Sequence, residues 1–284
     1  MEHRMNRRAT DVAKGFAIVM MLWHHAFYSQ STVSKRAGDL LVSYAPLSSN
    51  TVFAMAGACK ACVPVFVFIT GYGTYRSLTN WRRKNPDSSL GSYSITRHIR
   101  LLMQFFPVYV LGVAACCLTG TRTLSAVYGG NGLIKGCFSL VADLLGIAYL
   151  LKTPTFIATW WYLSLAILLI YLVPIVVLQS EKYDSITILM IVCMALPLLG
   201  VDMGGTFGRY VPTAVLGVFC AQHRIFERVS SAQATLAYRL LALPGVPFVL
   251  FCLSLYVERR IGYPWIVQSF AALFLCATAI QLER

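Results

Sequence analysis

The chain has 284 residues, 57% of them hydrophobic and only 12% charged, far from the roughly 25% charged residues of a soluble domain. Its apolar stretches recur too closely for a separate soluble domain, so residues 1–284 are read as one all-α, polytopic transmembrane helix bundle. A net charge of +13 would suit nucleic acid. The cations, however, cluster in short loops beside apolar runs, as positive-inside topology requires, and no basic module stands apart, so the expected partner is the lipid bilayer and not nucleic acid.

The basic start Arg4, Arg7, Arg8 and the apolar run after it resemble a signal peptide, but the run continues into Trp23-His24-His25 with no small-residue cleavage pattern. A retained first span over 12–29 is predicted. Further apolar segments follow at 51–75, 101–119, 133–151, 159–178, 186–201, 207–222, 240–257 and 265–281, against a requirement of about 20 residues to cross the hydrocarbon. The segment 133–151 carries Lys135 and Asp143 and fits either a span or an interfacial element, giving eight or nine spans. Between segments lie a Ser-rich loop from Ser29 to Asn50, a polar loop from Arg76 to Arg100, a Gly-rich stretch at 128–132 and the segment His223 to Arg239. The loop 76–100 holds Arg76, Arg82, Arg83, Lys84, Arg97 and Arg100, whereas the loop before it holds only Lys35 and Arg36. The N-terminus and the loop 76–100 are therefore expected on the cytoplasmic side.

The first span carries Asp11, Lys14 and His25. At about 100° per residue Lys14 and His25 fall within roughly 20° of each other, and Asp11 within about 40° of the same line. Ionisable groups in a spanning helix are costly and point to a functional face. His25 is the candidate general base, since burial keeps imidazole neutral; its alternative is an interhelical hydrogen bond, the reading preferred for His24. Lys14 is a snorkelling anchor or a ligand-binding cation, and Asp11 a helix cap or a partner that holds Lys14 inward, the shared face favouring the second role for each.

Arg97 and Arg100 are neighbours on a helix and suit phosphate oxygens; Arg82, Arg83 and Lys84 add charge beside them, although topology enforcement alone accounts for such a cluster. Most of the nine cysteines lie in apolar runs, and Cys59-Lys60-Ala61-Cys62 lacks a second pair or a nearby histidine, so cysteine is read as packing and no metal site is expected. Gly71-Tyr72-Gly73 is read as close helix packing and not as a phosphate loop. Neither a G-x-S-x-G nor an H-E-x-x-H motif occurs, which leaves hydrolase and zinc-protease readings unsupported.

Asp11-x-x-Lys14-Gly15-Phe-Ala-Ile with His25 resembles the opening of the acyltransferase-3 family of integral membrane acyltransferases. In the same order, Pro64-Val-Phe-Val-Phe-Ile-Thr-Gly71-Tyr-Gly, Arg97-x-x-Arg100 with Pro107-Val-Tyr109, and Trp161-Tyr-Leu with Tyr171-Leu-Val-Pro174 resemble later motifs of that family. The resemblance implies transfer of an acyl group, commonly acetyl, from a cytoplasmic coenzyme A thioester to a hydroxyl of a cell-surface or lipid-linked glycan. It implies no tightly bound cofactor, acetyl-CoA being a substrate. Lys14 stands where many members have arginine, and nothing acidic lies between Trp160 and Ser180, where many members carry a carboxylate. The family norm is ten spans against the eight or nine counted, so the resemblance leaves two readings, a further helix after Arg284 or a variant with fewer helices. The rival reading is a transporter or glycan flippase with the same ionisable face as its proton path. The lack of an internal repeat weighs against it, and a non-catalytic scaffold leaves the face unexplained.

Overall fold

The computed structural model describes residues 5–37, 43–200, 207–228, 236–258, 260 and 264–283. In chain order the helices are α1 (Arg7–Phe27), α2 (Gln30–Ala37), α3 (Ser49–Ala58), α4 (Cys62–Lys84), α5 (Leu90–Leu118), α6 (Leu124–Tyr128), α7 (Leu133–Leu144), α8 (Trp161–Tyr183), α9 (Ser185–Leu198), α10 (Val211–Gln222), α11 (Ile225–Arg228), α12 (Leu236–Ala242), α13 (Val246–Glu258) and α14 (Pro264–Leu282). No strand occurs among the described residues.

Polar side chains start several of these helices by accepting from backbone N–H groups that have no partner within the helix. Asn6 accepts from Ala9 N at 2.8 Å, Ser48 from Thr51 N at 3.2 Å and Ser89 from Ser92 N at 3.2 Å. Residues 49–84 run as one apolar stretch through a 3₁₀ turn at Cys59–Ala61. Together with Leu90–Leu118, Ala158–Tyr183 and Trp265–Leu282 it gives four helices, among the described residues, long and apolar enough to cross a membrane. With 21 residues α1 has the length, about 31 Å, but Lys14, His24 and His25 lower its hydropathy.

Several expected segments are divided. The loop read over 76–100 shrinks, because α4 continues to Lys84 and α5 begins at Leu90. The segment 133–151 contains a 12-residue helix, about 18 Å long and so too short to cross about 30 Å of hydrocarbon. It stops at Gly146, whose φ of +71° lets its N–H reach the Asp143 carbonyl at 2.9 Å while Ile147 N reaches Ala142 O at 2.9 Å, a glycine C-terminal cap. The segment 240–257 is likewise cut between α12 and α13 at Gly245, φ +77°.

The chain divides into two compact units, Met1–Arg76 with Gln179–Arg284, and Ser77–Leu178. The first has a core of small side chains. Ala9, Ala13 and Ala17 of α1 form a fully buried i, i+4 stripe that packs with Ala271, Ala272, Leu275 and Ala279 of α14, because backbones approach closely only where side chains are small. Asn6 Nδ2 donates to Glu283 Oε2 at 2.8 Å, so α1 and α14 run antiparallel. In the second unit Ser94 Oγ donates to Ile170 O at 3.0 Å and Ser164 Oγ to Gly146 O at 2.6 Å, tying α5 and the end of α7 to α8.

Candidate functional site

The α1 face is built as its spacing implies, but it points away from the alanine stripe. Ala9, Ala13 and Ala17 are buried, whereas Asp11, Lys14 and His25 are exposed; the two sets are centred roughly 125° apart around the helix. Asp11 forms its ion pair with Arg7, one turn before it, at 4.0 Å. The helix cap is Asn6. Between Lys14 and His25 the rise is about 16 Å, and a Cβ added at Gly15 would meet nothing within 4 Å.

His24 lies on the other side. Its Nδ1–H donates to the Ala56 carbonyl at 2.7 Å; a carbonyl only accepts, so Nδ1 carries a proton. The His24 and His25 rings meet at 5.3 Å, edge to face. His24 thus anchors α1 to α3, the structural role read for it in the sequence.

The cationic cluster of the second unit has one organised member. Arg97 Nη1 donates to Ser77 Oγ at 2.9 Å and to Tyr93 Oη at 2.6 Å, and its guanidinium lies 5.5 Å from the centre of the Tyr93 ring. Ser77 and Tyr93 hydrogen-bond each other at 2.5 Å, and Trp81 covers Tyr93 with ring centres 5.4 Å apart. Arg97 is therefore half-buried and pre-oriented, which limits the side-chain entropy a bound anion would cost it. Arg100, one turn on, is exposed, as are Arg82, Arg83 and Lys84. Arg83 Nη2 reaches Asn80 Oδ1 at 3.5 Å. The last three occupy the final turn of α4, where cations also suit the helix dipole. On the same helix as Arg97, His98 Nδ1 hydrogen-bonds Tyr171 Oη at 3.0 Å.

A carboxylate that the sequence did not single out as a site residue is the most enclosed acid of the second unit. Asp143, 2% exposed, accepts on Oδ2 from Tyr128 Oη at 2.6 Å and from Phe156 N at 2.7 Å. Tyr128 and Tyr109 hydroxyls meet at 3.3 Å, and Arg122 Nη1 donates to Phe156 O at 2.7 Å. Burial pushes the Asp143 carboxyl above its ordinary range, and the two donated hydrogen bonds oppose that shift in part. This carboxylate fastens the loop that enters α8. Its partners come from positions 15 before and 13 after it, so no local pattern announces it. Among the described residues no group of histidine, cysteine and acidic side chains is placed to hold a metal ion, and the cysteines are free. Cys62, Cys220 and Cys276 are buried as small apolar side chains.

A helical membrane protein with an ionisable face on its first helix and a pre-oriented arginine at the head of α5 is the class these features define. The family model described as an acyltransferase domain matches residues 7–282, and the chain belongs to the acyltransferase-3 family. No curated protein and no solved structure matches the chain at significant similarity.

Proposed function

We propose that this membrane acyltransferase moves an acyl group, acetyl in the first instance, from a cytoplasmic coenzyme A thioester to a hydroxyl of a cell-surface or lipid-linked glycan. The observation that carries the reading is the family match over 7–282 together with the shared α1 face of Lys14 and His25. His25 takes the proton of the acceptor hydroxyl as its oxygen attacks the thioester carbonyl. The carbon–sulfur bond breaks, and the departing thiolate receives that proton, so the products are an ester and free coenzyme A. Lys14, a turn of helix after Asp11, faces the donor and supplies charge to its phosphates; Asp11 sets the local balance of charge with Arg7. Arg97 and Arg100, with Arg82, Arg83 and Lys84, take the role of binding donor phosphates, a task suited to a guanidinium already held by Ser77 and Tyr93. The protein is proposed to reside in the cell membrane as a multi-pass chain with its N-terminus in the cytoplasm, since the cations of 76–100 outnumber those of the preceding loop.

The test is thiol release from acetyl-CoA by the full chain in reconstituted membranes supplied with a glycan acceptor. His25→Ala is expected to abolish transfer while the protein remains folded. Full activity in that variant would remove His25 from the chemistry.

A further inference from the structure

The end of the first unit that carries His25 also holds a polar relay. Because α1 and α14 are antiparallel and joined at Asn6 and Glu283, His25 lies about 28 Å along α1 from that link and Gln268 about 22 Å along α14. Gln268, 2% exposed, accepts from Arg209 Nη2 at 3.0 Å and donates through Nε2 to Glu258 Oε1. Arg209 sits in the 3₁₀ turn Gly208–Tyr210 that leads into α10, with its guanidinium 5.4 Å from the Tyr210 ring centre.

The amide separates the two charges. No described carboxylate lies within ion-pair distance of Arg209, and its Nε–H is buried without a hydrogen-bond partner. A guanidinium held by a neutral amide, with one N–H enclosed and unpaired, is costly. It is relieved by an oxygen that only accepts and that carries charge. Glu258 takes the Gln268 amide on Oε1 and forms no direct ion pair with Arg209. Lys60, in the 3₁₀ turn against α1 and α14, adds a second cation at this end.

We infer that Arg209, oriented by Gln268 and Glu258, binds an anionic oxygen group of the acyl acceptor, a carboxylate or a phosphate, on the same end of the unit as His25. The inference rests on the acyltransferase reading only in calling that ligand the acceptor. Anion binding at Arg209 stands on the local geometry.

The probes are D-glucuronate, inorganic phosphate and D-glucose, added to the detergent-purified full chain while thermal unfolding is followed. Glucuronate, phosphate or both are expected to raise Tm, and glucose is not. The arm that acts tells a carboxylate from a phosphate. Arg209→Gln is expected to weaken anion binding about tenfold or more, as loss of a charge-assisted hydrogen bond does. Glu258→Gln, which keeps an acceptor for Gln268, is expected to tighten it by removing a nearby negative charge; a purely structural relay would show no such gain. Should Arg209→Gln fail to fold, Glu258→Gln still decides. Equal shifts with glucose, no shift with either anion, or unchanged binding in both variants would overturn the inference. Acetyl-CoA turnover by the same preparation is read separately: turnover without anion binding removes this site alone, and anion binding without turnover removes the proposed reaction alone.

Discussion

Gly71 and Ala214 meet backbone to backbone: a Cβ built on Gly71 would stand 2.1 Å from the Ala214 carbonyl oxygen. Across the same contact between α4 and α10, a Cβ on Gly217 would stand 2.3 Å from Phe68 O. Both approaches are closer than any side chain allows, so the two helices touch where both lack one. The glycine of the Gly-x-Gly pair that does this is Gly71; a Cβ on Gly73 would meet nothing within 4 Å.

Gly71→Ala and Gly217→Ala should therefore destabilise the protein by about 1–3 kcal/mol, the usual cost of forcing extra atoms into packed contacts. Gly73→Ala should be neutral or slightly stabilising, because it only removes backbone freedom from the unfolded chain. Unfolding in detergent checks all three, and a stable Gly71→Ala protein would show that the crossing yields.

His24 and His25 should separate cleanly. His24→Ala removes the bond to the Ala56 carbonyl and is expected to cost about 1–3 kcal/mol of stability. Acyl transfer per folded molecule should change little. His25→Ala should do the reverse. Melting curves and turnover measured on the same two preparations test the pair, and identical behaviour would mean the neighbours are not distinguished by the face they occupy.

The Asp143 cluster gives a pH dependence with a fixed sign. Its carboxyl titrates higher when folded than when unfolded, so the folded state favours the protonated form. The associated stability is full below the unfolded value, near 3.9, and is lost as pH rises through the folded value. Asp143→Asn can place its carbonyl oxygen where Oδ2 accepts both hydrogen bonds and should flatten this part of the profile. Tyr128→Phe should cost about 1–2 kcal/mol through the lost bond. Unfolding midpoints from pH 4 upward, roughly the ordinary carboxylate range, test both; an Asn variant as pH-dependent as the parent would place the titration elsewhere.

Under the proposed reaction, Arg97→Lys should raise KM for acetyl-CoA about tenfold while kcat stays nearly constant, since a lysine lacks the fork that Ser77 and Tyr93 orient. Steady-state kinetics check it. A fall in kcat at unchanged KM would assign Arg97 to the chemical step instead.

The apolar segments of the sequence locate the long helices well, because hydropathy reports what lipid demands of a helix. The stretch 159–178 lies inside a helix that reaches Tyr183, and 265–281 nearly coincides with α14. Helix direction was harder to read. The ionisable alignment of Lys14 and His25 follows from spacing alone, but which side of α1 meets its own unit is decided by Ala9, Ala13 and Ala17, residues with too little hydrophobic contrast to draw attention. Arg97 was legible as a candidate, its supports Ser77 and Tyr93 were not, and Asp143 owes its environment to partners far along the chain.

The first unit is interrupted: Met1–Arg76 is completed only by Gln179–Arg284. During synthesis the alanine stripe of α1 must therefore wait for α14, more than two hundred residues later, before it is covered. Contacts of such long sequence separation form slowly. The second unit, Ser77–Leu178, is continuous and leaves the ribosome whole before that closure. Translation order alone thus gives its Arg97 and Asp143 clusters the chance to assemble first, and makes arrival of α14 the event that covers the alanine stripe of the first unit.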